Sequence, residues 1–167
     1  HSRRFADQIV VVTGAARGIG LAIAEAFVQE GAAVVLADVS DGDLQPQVRR
    51  LRETFDAKVE GVAGDLSTEA GALALLARTT SAFGAASVLV NNAGGGVILP
   101  FLSHTPDTLR ATIDRNLWTT LWCTRAFLPP MLAQRYGRIV NLGADSVRNG
   151  LANHAAYNAA KGGVHGM

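Results

Sequence analysis

The chain has 167 residues, 49% of them hydrophobic and 17% charged, which fits one domain at roughly 100 to 200 residues per domain and excludes intrinsic disorder. Fifteen Lys and Arg against fourteen Asp and Glu leave a net charge of +1 with no basic run beyond Arg49-Arg50, so neither nucleic acid nor an anionic membrane is an expected partner. The lone Cys123 allows no internal disulfide and has no metal-ligand spacing around it, and no apolar stretch reaches the roughly 18 residues of a membrane span, which together point to the cytoplasm.

The lead His1-Ser2-Arg3-Arg4 lacks an apolar signal core and reads as a tag remnant plus a short native lead. Beyond it, a β-branched run over Ile9–Thr13 predicts a first strand ended by Gly14, and 19–29 predicts a helix up to Gly31. A second strand is expected over 33–37, closed by Asp38; Leu44, Val48, Leu51 and Phe55 then recur at intervals of four, three and four, an amphipathic helix. After a weaker third strand over Val59–Ala63, Ser67 is the expected cap of a helix whose Ala70, Leu73, Leu76, Ala77 and Phe83 share a face, closed by Gly84. The fourth strand, 88–90, runs into Asn91-Asn92-Ala93-Gly94-Gly95-Gly96. Thr105 and Pro106 start a long helix expected to reach at least Leu128, with a kink or partial stop at Pro129-Pro130. A fifth strand spans 138–142, and Asn153 opens a sixth helix. Short apolar strands alternating with helices predict a parallel sheet covered on both faces, a doubly wound α/β fold. With no internal repeat, low-complexity tract or linker, residues 1–167 read as a single domain.

The loop Thr13-Gly14-Ala15-Ala16-Arg17-Gly18-Ile19-Gly20 lies between the first strand and the first helix. Glycines there let the backbone turn tightly and approach a pyrophosphate, whose charge meets the free N–H groups at the helix start. Asp38 follows Gly20 by 18 residues, close to the spacing of about 20 for the carboxylate that binds a ribose 2′-hydroxyl. It favours NAD, because a carboxylate repels the 2′-phosphate of NADP; Arg17 argues the other way. Asp65 at the third strand's end and Asn91-Asn92-Ala93-Gly94 at the fourth put further polar groups on the same sheet edge, the asparagines serving either a ligand or loop-tying hydrogen bonds. Tyr157 and Lys161, four apart on a helix, share a face. A nearby ammonium stabilises a phenolate and so makes a phenol usable in proton transfer near neutral pH.

Together Thr13-Gly14-x-x-x-Gly18-Ile19-Gly20, Asn91-Asn92-Ala93-Gly94, Asn116 and Tyr157-x-x-x-Lys161 resemble the short-chain dehydrogenase/reductase family, from about Phe5 to the end of the chain. The resemblance implies a Rossmann-type sheet of order 3-2-1-4-5-6-7 and hydride transfer between a nicotinamide cofactor, here NAD, and an alcohol or carbonyl carbon. It implies that Gly14, Arg17 and Ile19 touch the dinucleotide phosphates or ribose, Asp38 the adenosine ribose, Asp65 and Leu66 the adenine, and Asn92, Ala93 and Gly94 the nicotinamide side. Tyr157 becomes the proton donor or acceptor, Lys161 holds the nicotinamide ribose and favours the phenolate, and Asn116 anchors a water in the relay. Assembly as a homodimer or homotetramer through the long helix, with Trp118 and Trp122 beside Leu117, Leu121 and Phe127, and through the tyrosine helix is implied too.

Two departures stand out. The family's serine lies 13 residues before the tyrosine, where this chain has Ala144; Ser146, two residues on, is the candidate substitute, either as a donor to substrate or as a loop cap. The chain also stops at Met167 inside a helix, so it reads as C-terminally incomplete, without two strands and the loop that covers substrate. The glycine run 94–96 and the segment 141–146 are faintly similar to bacterial dehydrogenases of cis-dihydrodiol carboxylates. The reading is therefore an NAD-dependent oxidoreductase acting on a secondary alcohol, vicinal diol or dihydrodiol; the alternatives are an NADP-dependent oxoacyl or carbonyl reductase, and a dinucleotide-binding protein with weak or no catalysis.

Overall fold

The computed structural model describes residues 3–167; the reading of His1 and Ser2 as a tag remnant lies outside them. Five strands, β1 (Ile9–Thr13), β2 (Ala33–Asp38), β3 (Val59–Ala63), β4 (Val88–Asn91) and β5 (Arg138–Asn141), form one sheet in the order β3-β2-β1-β4-β5. Every pair is parallel, with Val10 opposite Val34 on one side and Val88 on the other. This is the order of the first five strands that the family resemblance implied. The helices are α1 (Gly18–Gln29), α2 (Asp41–Phe55), α3 (Glu69–Ala82), α4 (Pro106–Ile113), α5 (Thr119–Ala133), α6 (Ser146–Asn149) and α7 (Ala155–His165).

Alternation within the strands divides the core in two. Val10, Val12, Val34 and Leu36 face Ala24 and Val28 of α1 and Leu44, Val48 and Leu51 of α2. Val11, Val35, Ala37 and Leu89 face the other way, onto Ala72 and Leu75 of α3 and Cys123, Phe127 and Met131 of α5. Each fully buried Val or Leu contributes about 1.5–3 kcal/mol, and strands buried on both faces read as uninterrupted apolar runs. Strand order reverses between β1 and β4, which opens a crevice at the carboxyl ends of those strands.

Several boundaries differ from expectation. The long helix is not one α-helix: a π turn over Asp114–Trp118 separates α4 from α5. Pro129 and Pro130 do not stop α5, which continues to Ala133; each removes one N–H, and burial of Phe127 and Met131 against the sheet holds the final turn. The cap of α3 is Thr68, whose hydroxyl accepts the Gly71 N–H at 3.1 Å, while Ser67 Oγ donates to Asp65 at 2.7 Å. The buried face of α3 is Ala72, Leu75 and Thr79. Of the expected face, Leu76 and Phe83 pack at the margin of the second core, whereas Leu73 is 48% exposed, beside a groove it lines with Leu76, Trp122, Pro129 and Pro130. Asn153 adopts φ +63° outside any helix, so the last helix starts at Ala155, and the short α6 precedes it. Among the described residues no helix is long and apolar enough to cross a membrane.

Cys123 sits in the second core with its thiol pushed up to about 12 by burial. It should resist a thiol reagent at pH 8 in the folded protein and react at once in denaturant; rapid modification without unfolding would contradict this packing of α5.

Candidate functional site

The ends of β1 and β4 are tied by side chains. Thr13 Oγ1 accepts the N–H groups of Asn92 and Ala93 at 3.1 and 2.9 Å and donates to Val90 O at 3.4 Å. Asn92 Nδ2 donates to Thr13 O and Gly14 O at 3.0 and 3.1 Å. The turn that brings these groups together has φ +63° at Gly14, where a Cβ would lie 2.8 Å from Ala93 Cα. At Gly20 a Cβ would run into Gly14 O and Asn92 Nδ2, so α1 starts directly against this turn.

Beside it lies a cavity of about 760 Å³. Gly14 and Arg17 from the first loop, Asp38 from β2, Asp65 and Leu66 beyond β3, and Asn92, Ala93 and Gly94 beyond β4 all line it. Gly18, Ile19 and Gly20 do not: Ile19 is 69% exposed on α1, a Cβ at Gly18 would meet open space, and Gly20 packs beneath the turn. The Asp38 carboxylate accepts the N–H groups of Ala16 at 3.0 Å and Ser40 at 3.2 Å, which aims it across the glycine loop. Helices α2, α3 and α4 each have a hydroxyl cap and an acid in the first turn. Among the described residues α1 has neither, a lack it shares with α5, α6 and α7, and its start adjoins Gly14 and Arg17 of the cavity wall. Sequence reasoning missed Asp114, Arg115 and Thr119, which also line the cavity. Their signal was the spacing of Ala111, Arg115 and Thr119, a one-face stripe on the helix that carries Asn116.

Asn116 is fully buried inside the π turn. Its Nδ2 donates to Thr112 O at 2.8 Å and Gly95 O at 2.7 Å, and its Oδ1 accepts the Gly95 N–H at 3.0 Å. One amide thus bridges the widened helix turn and the glycine run. Lys161 is 4% exposed, and its Nζ donates to Leu142 O at 2.7 Å. A Cβ at Gly94 would lie 3.5 Å from Lys161 Nζ, and one at Gly96 would lie 3.3 Å from the Tyr157 ring. Tyr157 and Lys161 therefore abut two glycines of the cavity wall, with His154 edge-on to the tyrosine at 6.0 Å. Ser146 is buried at the start of α6 and its hydroxyl donates to Asn158 Oδ1 at 2.6 Å, tying α6 to α7. Ala144 offers only its backbone, whose N–H donates to His165 Nε2 at 3.2 Å.

The model of a family described as short chain dehydrogenase matches residues 8–167. The chain is 57% identical over 160 residues, 96% of its length, to a 2,3-dihydroxy-2,3-dihydro-p-cumate dehydrogenase of Pseudomonas putida, of which it covers 62%. It is 36% identical over 167 residues, 99% of its length, to a 1,6-dihydroxycyclohexa-2,4-diene-1-carboxylate dehydrogenase of Acinetobacter baylyi, again covering 62% of that protein. A crystal structure of L-sorbose reductase from Gluconobacter frateurii, complexed with NADPH and L-sorbose, superposes with a TM-score of 0.91 at 31% identity, over 97% of this chain and 62% of that one. The chain thus spans 62% of the length of each of these relatives.

Burial holds the Lys161 ammonium below the ordinary lysine value of 10.5. In the unfolded chain the amine regains that value, so between the lowered value and 10.5 the unfolded chain binds more protons and stability rises with pH. The difference in unfolding free energy between the unmodified protein and Lys161→Met should therefore shift in favour of the unmodified protein as pH climbs toward 10.5. Denaturant titrations giving a pH-independent difference would contradict a desolvated ammonium.

Proposed function

Because the chain belongs to the short chain dehydrogenase family, we propose that it is an NAD-dependent oxidoreductase that dehydrogenates a dihydrodiol carboxylate. The observation that carries this is the packing of Tyr157 and Lys161 behind Gly96 and Gly94, two glycines that line the same cavity as Asp38 and the glycine loop. The cavity's chemistry fits a nicotinamide dinucleotide. The uncapped start of α1 suits a pyrophosphate, and Asp38, steadied by two N–H donors, suits a ribose hydroxyl pair. Asp65 and Leu66 would take the adenine, and Asn92, Ala93 and Gly94 the nicotinamide side. When bound, the nicotinamide supplies the hydride acceptor.

The chain's own residues handle the proton. Tyr157 takes it from the substrate hydroxyl as the C–H bond is oxidised. Lys161, with one hydrogen bond to Leu142 O, keeps donors for a ribose hydroxyl. Asn116 holds Gly95 and the helix turn through its amide, and its place in the relay is that of an anchor. Ser146 we assign to the α6–α7 tie rather than to the substrate oxygen, since its proton goes to Asn158. The substrate class follows the names of the two dehydrogenase relatives. The stacked Trp118 and Trp122, with ring centroids 5.7 Å apart and Trp118 42% exposed, support self-association through the long helix. The NADPH in the sorbose reductase complex favours the competing, NADP-linked reading, with Arg17 as its reader.

Affinity for NADH should exceed that for NADPH, and Asp38→Ala should narrow the gap by about 1–3 kcal/mol, read by fluorescence titration; equal affinities in the unmodified protein would favour the NADP reading. In turnover assays on a cis-dihydrodiol carboxylate, Tyr157→Phe should abolish activity and leave NAD affinity unchanged. Ala144→Ser tests the missing donor. A hydroxyl placed there should raise kcat if the substrate oxygen lacks a partner, by up to about a hundredfold. An unchanged kcat would mean that a backbone group or water already serves that oxygen.

A further inference from the structure

Just beyond β5 the segment Leu142-Gly143-Ala144 leaves the sheet beside the proposed reaction site, and two of its backbone groups are met by side chains of α7. Lys161 Nζ donates to Leu142 O at 2.7 Å, and the Ala144 N–H donates to His165 Nε2 at 3.2 Å. Lys161 and His165 lie four residues apart, so both project from one face of α7, about 6 Å apart along its axis. Two residues of extended chain cover about 6.6 Å, which matches the step from Leu142 to Ala144. Gly143 sits between the two bonds. A Cβ there would run into His165 Nε2 and come within 2.8 Å of its Cδ2. Gly143 is absent from the glycines of positive φ, so what a side chain there would displace is the exposed His165 ring, not the backbone.

We infer that His165 is a positioning residue: its imidazole locks the backbone of residues 142–144 in register with Lys161 and Tyr157, at the place where this chain has Ala144 and no serine hydroxyl. The catalytic consequence rests on the dehydrogenase reading; the lock itself does not. For Nε2 to accept the Ala144 N–H it must be unprotonated, so the neutral ring carries its proton on Nδ1. If the segment moved, Leu142 O would carry the Lys161 ammonium with it, and displacements near 1 Å at a reacting group cost up to about a hundredfold in rate.

The test uses the full chain in two assays. In nitrogen-15 NMR of the imidazoles, His165 should show the Nδ1–H tautomer, and exchange of the Ala144 amide should quicken about tenfold or more in His165→Ala and slow again in His165→Gln, whose carbonyl oxygen restores an acceptor. An Nε2–H tautomer, or an Ala144 amide that exchanges equally fast in all three proteins, overturns the lock. In turnover of a cis-dihydrodiol carboxylate, His165→Ala should lower kcat about tenfold and raise the KM for NAD as Lys161 shifts from the ribose, and His165→Gln should recover most of both. Gly143→Ala, which displaces the ring, should cost the same and add nothing to His165→Ala in the double variant. Full kcat in His165→Ala, no rescue by glutamine, or additive losses would overturn the positioning role. Absence of turnover in the full-length unmodified protein, with the NMR signature intact, would refute the dehydrogenase reading and leave the lock standing.

Discussion

The site depends first on the hydrogen bonds between Thr13 and the turn at Asn92. Ladder bonds of a parallel sheet fix the strands but not the loops that leave their carboxyl ends. Thr13 Oγ1 closes that gap by accepting two consecutive N–H groups of the β4 turn, while Asn92 Nδ2 returns two bonds to the β1 turn. Two loops that lie 78 to 80 residues apart in sequence therefore move as one unit. The glycines follow from this closeness. Gly14 and Gly20 are where a side chain would strike Ala93 or the Asn92 amide, and opening the turns would cost the part-buried Asn92 and Ala93 N–H groups their protein partner.

Strands β1, β2 and β4 and helices α1 and α2 were legible in the sequence because each obeys a local rule: an uninterrupted apolar run, or apolar residues recurring on one face. The buried face of α3 was only partly so, because Leu73 is as apolar as Leu76 in the sequence and yet stays exposed beside a groove. The π turn at Asp114–Trp118 was invisible for a different reason. It exists because the Asn116 amide bonds Thr112 O and both backbone groups of Gly95, and nothing in the local sequence announces a partner 21 residues away. The Pro129-Pro130 pair misled for the opposite reason, since tertiary burial of Phe127 and Met131 outweighed a strong local rule.

Within the site, the legible residues were those whose chemistry is required by type: glycine at a left-handed turn, a carboxylate at a strand end, phenol and ammonium one helical turn apart. The residues that were missed are ordinary in type and special only in place. Arg115 and Thr119 reach the cavity together with Ala111 along one helix face, and His165 is brought opposite Ala144 only by the packing of α7 beside the segment after β5.

The charges around the cavity show why placement counts for more than composition. Arg17 and Arg115 line it together with Asp38, Asp65 and Asp114, so side chains alone give acids the majority where the proposed ligand carries two phosphates. Attraction must then come from the backbone. Partial charges at a helix start act over the first turn only, and an acid placed there would cancel them. Helices α2, α3 and α4 carry such acids, whereas α1, the helix whose start adjoins the Gly14 and Arg17 wall, has none among the described residues. Asp38 in turn stands one strand away, its oxygens held by Ala16 and Ser40 N–H groups. Its carboxylate is thus engaged on the side of the glycine loop rather than placed in the first turn of α1. With a net charge of +1 and no basic cluster, a chain built this way would have to hold the proposed pyrophosphate largely through backbone N–H groups.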